Sequence, residues 1–532
     1  MKKLPLGIQN INEIITGNYV YVDKTQYVYN LIDTAKYLFL SRPRRFGKSL
    51  LLDTIGEVFK GNKELFKGLW IYDSDYSFDK HPVIRLDMSR VATKSPEILE
   101  DSIMSLLESY YLTEALKVKN RIISDVFAEL IIQLDRKYGK RVVVLIDEYD
   151  KPILDHMTNP DMADSNRQVI RGLYGVLKPL DQYLEFAFIT GVSKFTKASI
   201  FSELNNLFDI TMMEKFANIC GVTIDDLNNY FREHITSLNN LKQFRHIESI
   251  YDEILFWYDG YSWDGETRVL NPFSLLNFFK QEKFMNFWYS SGNPKFLMDL
   301  IKENPESFLR LDNLVLDETS LDVFDIQNMA AAPILFQTGY LTIKEIDYIE
   351  VSPTYHLKMP NFEVEDAFNL QVLASLTHSG DVFARDIKRD IIKALRLGNL
   401  EQMLSILRGL FASIPYELHV KKEAYYHSIF YALMTLLGLK MNVEVSVSGG
   451  KVDAIIEQDD RVYVMEFKYE DCPIDASDNT KKELFEKALD EAMGQIETKG
   501  YYKKYLGKGK TIYKVALAFL GRDNIEMRVC EA

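Results

Sequence analysis

Cysteine is scarce in this chain. Cys220, Cys472 and Cys530 are the only three in 532 residues, odd in number and far apart, which excludes a disulfide framework and a cysteine-spaced zinc site. A run of about 18 apolar residues is also missing, which excludes an ordinary membrane-spanning helix. There is no low-complexity linker and no internal repeat, so a solenoid is excluded as well. Met1, Lys2 and Lys3 precede LPLGIQNINEII, whose scattered polar residues do not make a signal-peptide core, and a reducing cytoplasm is the expected compartment. Excess positive charge is lacking too: the net charge of −14 excludes a general polycationic nucleic-acid binder. It does not exclude a local basic face, because exposed charges are largely screened beyond about 8 Å. With 47% hydrophobic and 13% aromatic residues the chain is globular, and its length predicts several domains.

The most informative stretch is Tyr37 to Phe59, YLFLSRPRRFGKSLLLDTIGEVF. An apolar run at 37–40 reads as a buried strand, and after a short turn Leu51, Leu52, Ile55 and Phe59 recur at helical spacing from Lys48. Strand, turn and helix are the setting of a phosphate loop, in which backbone N–H groups face an anion, a lysine reaches the phosphates and a hydroxyl holds Mg²⁺. Gly47, Lys48 and Ser49 fit those roles. Arg42 stands where the common pattern has its first glycine, and a side chain at that turn is expected to limit how closely the backbone approaches phosphate. On this stretch alone, a basic turn entering an ordinary helix remains the alternative.

Further on, RVVVLIDEYDKP carries an apolar run at 142–146, as expected for a strand of a parallel sheet buried on both faces. It ends in Asp147 and Glu148, at the sheet edge where open α/β folds bind ligands. Asp147 is placed to hold Mg²⁺ through water, and Glu148 to polarise the water that attacks the γ-phosphate. Another buried strand, Leu184 to Ile189, ends in Thr190, a candidate sensor of the γ-phosphate with Lys194 in support. Residues 1–36 read either as a segment across the nucleotide pocket or as a packing strap. The aromatics of 211–310, from Phe231 to Tyr289, recur inside helical patterns and read as a helical lid core. Residues 330–360 read as a helix followed by a hairpin, a winged-helix-like module whose acidic wing disfavours DNA reading. Residues 363–412 read as a helical bridge.

A second constellation closes the chain. The helix predicted from Lys421 to Leu437 bears Glu423 and His427 one turn apart, and Val452 to Ile456 and Arg461 to Phe467 read as strands around a turn at Gln458 and Asp459. If the hairpin closes with two or four residues, Asp453, Glu466 and Lys468 share one face, the two acids being diagonal neighbours at about 7 to 8 Å. Both then reach one divalent ion, as metal-assisted phosphodiester hydrolysis requires. A three-residue loop would put Asp453 on the other face. Downstream, KGYYKKYLGKGKTIYK interleaves lysines with Tyr501, Tyr502, Tyr505 and Tyr513, which reads as a nucleic-acid path or as a solvated lysine-rich turn.

Taken with LPLGI, YVYVDKT, SRPRRFGKSLLLD, VLIDEYDKPI, ITGVSKFTKASIFSELNNL, WYDGYSW, GYLTIK, PNFEV, GGKVD, EFKYE and GQIETKGYYKKY, the chain resembles, nearly end to end, a bacterial family abundant in Bacteroidetes. That family joins an AAA-ATPase-like domain to a C-terminal PD-(D/E)XK nuclease-like domain. The resemblance implies an α/β protein. A P-loop NTPase domain with a parallel sheet and helices on both sides would occupy 1–210, a helical lid 211–320, a winged-helix-like and helical bridge 321–412, and an α/β restriction-endonuclease-like domain 413–532. It makes Arg42 a family feature. It implies ATP and Mg²⁺ as cofactors, nucleotide contacts from Arg45, Phe46, Gly47, Lys48, Ser49, Leu50, Asp147 and Thr190, and hydrolysis by Glu148. Ser49, Asp147, Glu423, Asp453 and Glu466 would be metal ligands, with Asp453, Glu466 and Lys468 as the nuclease centre. Gln495 and Tyr501 resemble a Gln-to-Tyr helix motif at longer spacing. The expected function is an ATP-dependent protein controlling a nuclease that acts on nucleic acid, DNA before RNA. The rival is a nucleotide-dependent switch whose last domain binds without cutting. Arginines from neighbouring subunits are common in this class, so a homo-oligomer is also expected.

Overall fold

The structure, a computed structural model, describes residues 1–194, 204, 206–239, 241–288, 314–322, 331–348, 352–377, 380–413, 445–447, 450–452, 454–458, 460–472, 476–520 and 524–532. They divide into two compact units, one drawn from residues up to 364 and the other from residues 365 onward. No helix among the described residues is long and apolar enough to cross a membrane.

The first unit is built on a five-stranded sheet of β1 (Tyr37–Ser41), β2 (Val83–Asp87), β3 (Val142–Asp147), β4 (Leu184–Gly191) and β5 (Phe208–Asp209), in the order β2-β3-β4-β1-β5. Every pairing in it is parallel. All positions of β1 and β3 are buried, as their unbroken apolar runs require. Flanking helices start where the sequence supplies caps. Ser95, Asn159 and Asn271 each accept a first-turn N–H, and each is followed by proline at the first helical position. β4 lies between β1 and β3, so the β1 turn and the acidic end of β3 reach the same sheet edge across one intervening strand.

The aromatics of 211–288 do form a helical core. Phe231, Phe244, Tyr258, Phe278, Phe279 and Phe287 cluster there, and Leu4, Val20 and Val22 pack against them, so the N-terminal segment serves as a packing strap. The helix Ala331–Thr338 then leads into the hairpin of β7 (Thr342–Asp347) and β8 (Thr354–Lys358), which β6 (Leu314–Asp317) extends to a three-stranded antiparallel sheet.

In the second unit the helices Gly380–Leu397 and Leu400–Ala412 precede a small hairpin, β9 (Val445–Val447) with β10 (Gly450–Val452). A four-stranded sheet follows: β11 (Ala454–Gln458), β12 (Arg461–Glu470), β13 (Thr511–Leu520) and β14 (Asn524–Glu531), neighbours in that order. β12 and β13 are parallel, and the helix Asp478–Lys499 makes the crossover between them. That helix covers one face through Ala488, Ala492 and Ile496. On the other face Tyr463 donates to the Leu395 carbonyl, and Phe411 meets Phe519.

Candidate nucleotide and nuclease sites

β1 ends at Ser41, and a helix begins at Lys48 behind Gly47, whose φ of 95° is available to glycine at no steric cost. Arg45, two residues earlier, also has a positive φ, 68°. The Lys48 ammonium turns back under the turn and donates to the carbonyls of Arg42 at 2.7 Å and Pro43 at 2.9 Å. Burial pushes its pKa down, while Asp147, Glu148 and Asp150 pull it up, so the cation lies within electrostatic reach of all three acids.

Arg42 overturns the steric expectation drawn from the sequence. Its side chain leaves the turn and enters the core, where it is fully buried. There Nη1 donates to the carbonyls of Ser41 and Thr211 at 2.8 and 2.9 Å, and Nη2 to that of Phe216 at 3.1 Å. The guanidinium lies 4.0 Å from the centre of the Trp263 ring. Nothing of the side chain obstructs the outer face of the turn. Phe46 is anchored the same way, its ring edge-on to Tyr261 at 4.7 Å and to Trp263 at 5.4 Å. Arg45 spreads over Phe273 at 3.9 Å, and Leu50 lies in the first turn of the helix, where its carbonyl accepts from Thr54.

The acids gather at the end of β3. Asp147 is buried, and its Oδ1 accepts from the Thr190 hydroxyl at 2.9 Å. Thr190 is itself fully buried and serves to orient Asp147. Glu148 takes a φ of 51°, a conformation that non-glycine residues adopt seldom and at some cost. Burial pushes its carboxyl pKa up, with Lys48 opposing and Asp147 and Asp150 adding to the rise. Lys194 pairs with Asp209 at 2.7 Å instead of facing this edge.

Two residues to which the sequence assigns no role complete the cluster. Asp150 is fully buried, and its Oδ2 accepts from the N–H groups of Val192 and Ser193 and from the Ser193 hydroxyl at 2.6 to 3.0 Å. It fastens the segment after β4 to the acidic turn. Arg85 on β2 reaches Asp53 at 2.9 Å, the Ser49 carbonyl at 3.0 Å and Asp147 Oδ2 at 3.8 Å, tying the Lys48 helix to the β3 end. The DEYD spacing is a local signal that could have found Asp150; Arg85 has none.

In the second unit, β11 and β12 close on the Gln458–Arg461 pair, so two residues turn the corner. This is the even loop length on which a shared face depends, one position later than the sequence suggests. Asp453 and Glu423, like the helix predicted at 421–437, lie outside the described residues. Glu466 is fully buried. Alternation along β12 puts it and the partly exposed Lys468 on the face of Val462 and Val464, the face covered by the Asp478–Lys499 helix. Their β13 partners are Ala516 and Ala518, and Ala488 and Ala492 pack from the helix, so small side chains surround that level of the sheet.

Of the four tyrosines of the lysine-rich turn, Tyr502 is partly exposed and donates to Glu497 at 2.9 Å, and the other three are packed. Tyr501 and Tyr505 are buried in the core, and Tyr513 stacks on Tyr463 at 5.2 Å. Lys510 pairs with Glu457, and Lys514 with Glu497. Lys503, Lys504 and Lys508 are exposed. Gln495 is partly exposed on the helix, apart in character from the buried Tyr501.

Residues 5–201 match the AAA-ATPase-like family, described as predicted AAA-ATPase, and residues 421–528 match a family of the PD-(D/E)XK nuclease superfamily. A protein of Azotobacter chroococcum mcd 1, named "Uncharacterized protein in vnfD 5'region", is 36% identical over 530 residues, covering 98% of this chain and 97% of that protein.

Proposed function

Because the chain belongs to the family that joins a predicted AAA-ATPase domain to a C-terminal PD-(D/E)XK nuclease superfamily domain, we propose that it binds and hydrolyses ATP and that its nucleotide state controls a metal-dependent nuclease acting on DNA. The observation that carries this reading is the meeting of Lys48, at a helix N-terminus behind Gly47, with Asp147 and Glu148 at one edge of a parallel sheet. A cation, a row of backbone donors and two acids are what transfer of a phosphoryl group to water requires.

In this reading Lys48 exchanges the Arg42 and Pro43 carbonyls for phosphate oxygens. Glu148, its pKa raised by burial, orients and deprotonates the attacking water. Ser49 and Asp147 hold Mg²⁺, with Thr190 fixing the Asp147 carboxylate. No group of three acidic, histidine or cysteine side chains suited to a metal occurs among the described residues. A phosphate-loop site does not need one, because magnesium keeps waters and phosphates as its other ligands, and a hydroxyl beside a carboxylate fits it. The metal, when bound, offsets negative charge on the phosphate oxygens. In the nuclease domain Glu466 holds a divalent ion together with Asp453 and Glu423, and Lys468 balances charge on the phosphodiester. The domain limits 1–210, 211–320, 321–412 and 413–532, a cytoplasmic location and a homo-oligomer belong to the same proposal.

The test uses purified full-length protein with labelled single- and double-stranded DNA and RNA, with and without ATP, across divalent ions. Lys48→Ala should lose nucleotide binding, and Asp453→Ala should lose cutting while phosphate release continues. Cutting by Asp453→Ala at the wild-type rate, or tight DNA association without cleavage in Mg²⁺ or Mn²⁺, would count against the nuclease half.

A further inference from the structure

The phosphate loop is gripped from outside the parallel sheet. Lys48 takes the carbonyls of Arg42 and Pro43, and the carbonyl of Arg44 accepts from the indole Nε1–H of Trp288 at 3.2 Å. Trp288 is 244 residues further along the chain and nearly buried. Its own position is fixed three ways. Its backbone N–H donates to Glu363 Oε1 at 2.7 Å, with Glu363 buried. Its ring meets Tyr340 edge-on at 5.2 Å. Gly339, with a φ of 93°, lets the ring and Pro43 close in, since a Cβ there would come within 2.8 Å of Pro43 and 3.3 Å of the Trp288 ring.

The grip has a directional consequence. In a trans peptide the C=O of one residue and the N–H of the next point in opposite directions. Holding the Arg44 carbonyl on Trp288 therefore sends the Arg45 N–H the other way, away from the indole. Arg45 has a left-handed φ of 68°, and successive N–H groups around a left-handed residue form the concave donor cluster that binds anions. A non-glycine residue in that conformation is strained and persists only where its surroundings hold it. We propose that Trp288 is a positioning residue for the phosphate site, its indole N–H setting the Arg44–Arg45 peptide so that the loop presents amides, not carbonyls, to the phosphate chain. This rests on the nucleotide-binding reading above and adds to it a residue from well beyond the matched ATPase segment.

Trp288→Phe keeps an aromatic ring at the site and removes the donor together with part of the indole's packing against Gly339. Calorimetric titration of the full-length protein with ATP, ADP, AMP and inorganic tripolyphosphate should show affinity falling about three- to tenfold for ATP and tripolyphosphate, the effect expected of one hydrogen bond. The loss should shrink from ATP to AMP, a gradient that a merely structural defect would not produce. Equal affinities in wild type and variant, or a loss independent of phosphate number, would overturn the proposal. If wild type binds none of these ligands, the nucleotide reading fails first, which is a distinct outcome. Should the variant not fold, hydrogen exchange on the wild type decides: tripolyphosphate must slow exchange both at 42–49 and in the peptide containing Trp288. Protection of the loop alone would refute the link.

Discussion

Replacing Arg42 by glycine would restore the common phosphate-loop pattern, and the structure predicts that it damages the protein. Burial pulls the guanidinium pKa down to about 10, so the environment works against the charge by roughly 3 kcal/mol. Against this stand three bonds to carbonyls at 2.8 to 3.1 Å, each worth about 1.5–3 kcal/mol when the donor is charged. Stacking on Trp263 adds about 2 kcal/mol when desolvated. Arg42→Gly removes all of these, leaves the Thr211 and Phe216 carbonyls without this donor, and opens a void. The net loss should be about 4 kcal/mol, and roughly 10 °C in the melting temperature of the unit that holds it. Circular dichroism melts of the full-length protein, with ATP titrations at low temperature, read both consequences. A double-mutant cycle of Arg42→Met with Trp263→Leu should return a coupling of about 1–2 kcal/mol. If Arg42→Gly melts with the wild type and binds ATP more tightly, this side chain does not brace the loop from behind.

Two further outcomes follow from particular side chains. Burial pushes the Glu363 carboxyl up to about 7, so between its ordinary value of 4.5 and about 7 the folded protein retains a proton that the unfolded chain releases. The stability this contributes is full below 4.5 and is lost as pH rises through 7, a total of about 3 kcal/mol that Glu363→Gln should not lose when both proteins are denatured with urea at pH 5 and pH 8. In the lysine-rich turn, Tyr505 is buried and donates to Glu457 at 2.8 Å, so Tyr505→Phe should cost about 1 kcal/mol of stability and leave DNA affinity unchanged. Alanine at the exposed Lys503, Lys504 or Lys508 should instead flatten the dependence of log affinity on log salt by about 0.9 for each phosphate no longer neutralised, measured by fluorescence anisotropy across salt.

What the sequence made legible was local. Unbroken apolar runs mark β1 and β3, because a strand covered on both faces has no polar positions to interrupt it, and β4 shows the same from Phe186 to Ile189. Gly47, Lys48 and Ser49 are readable because the backbone turn and helix start that they form lie within a few residues. The even hairpin loop of β11 and β12 is a condition that local pairing can state in advance, and it holds. The direction of Arg42 is not readable, since its partners Thr211, Phe216 and Trp263 lie far along the chain and no short pattern encodes them. For the same reason the tyrosines at 501 and 505 look free to stack on bases: a lysine-rich stretch conceals that some of its residues turn into a core made by Ile455, Val462 and Ile496.

These long-range contacts bear on how far along the chain the elements that shape the proposed phosphate loop extend. The segment matched to the ATPase family stops at residue 201. Yet Phe46 is seated against Tyr261 and Trp263, Pro43 against Gly339, and the Arg44 carbonyl on Trp288. A loop with arginine at 42, 44 and 45 has little of the backbone freedom that glycines supply, and it gains its shape from these distant aromatic and small residues instead. Anything that displaces these aromatic residues therefore alters the loop, and an anion that orders the loop must, by the same free energy, favour this packing of them. That reciprocity is a physical basis on which an anion at the loop would be felt at Tyr261, Trp263, Trp288 and Gly339, beyond the sheet itself.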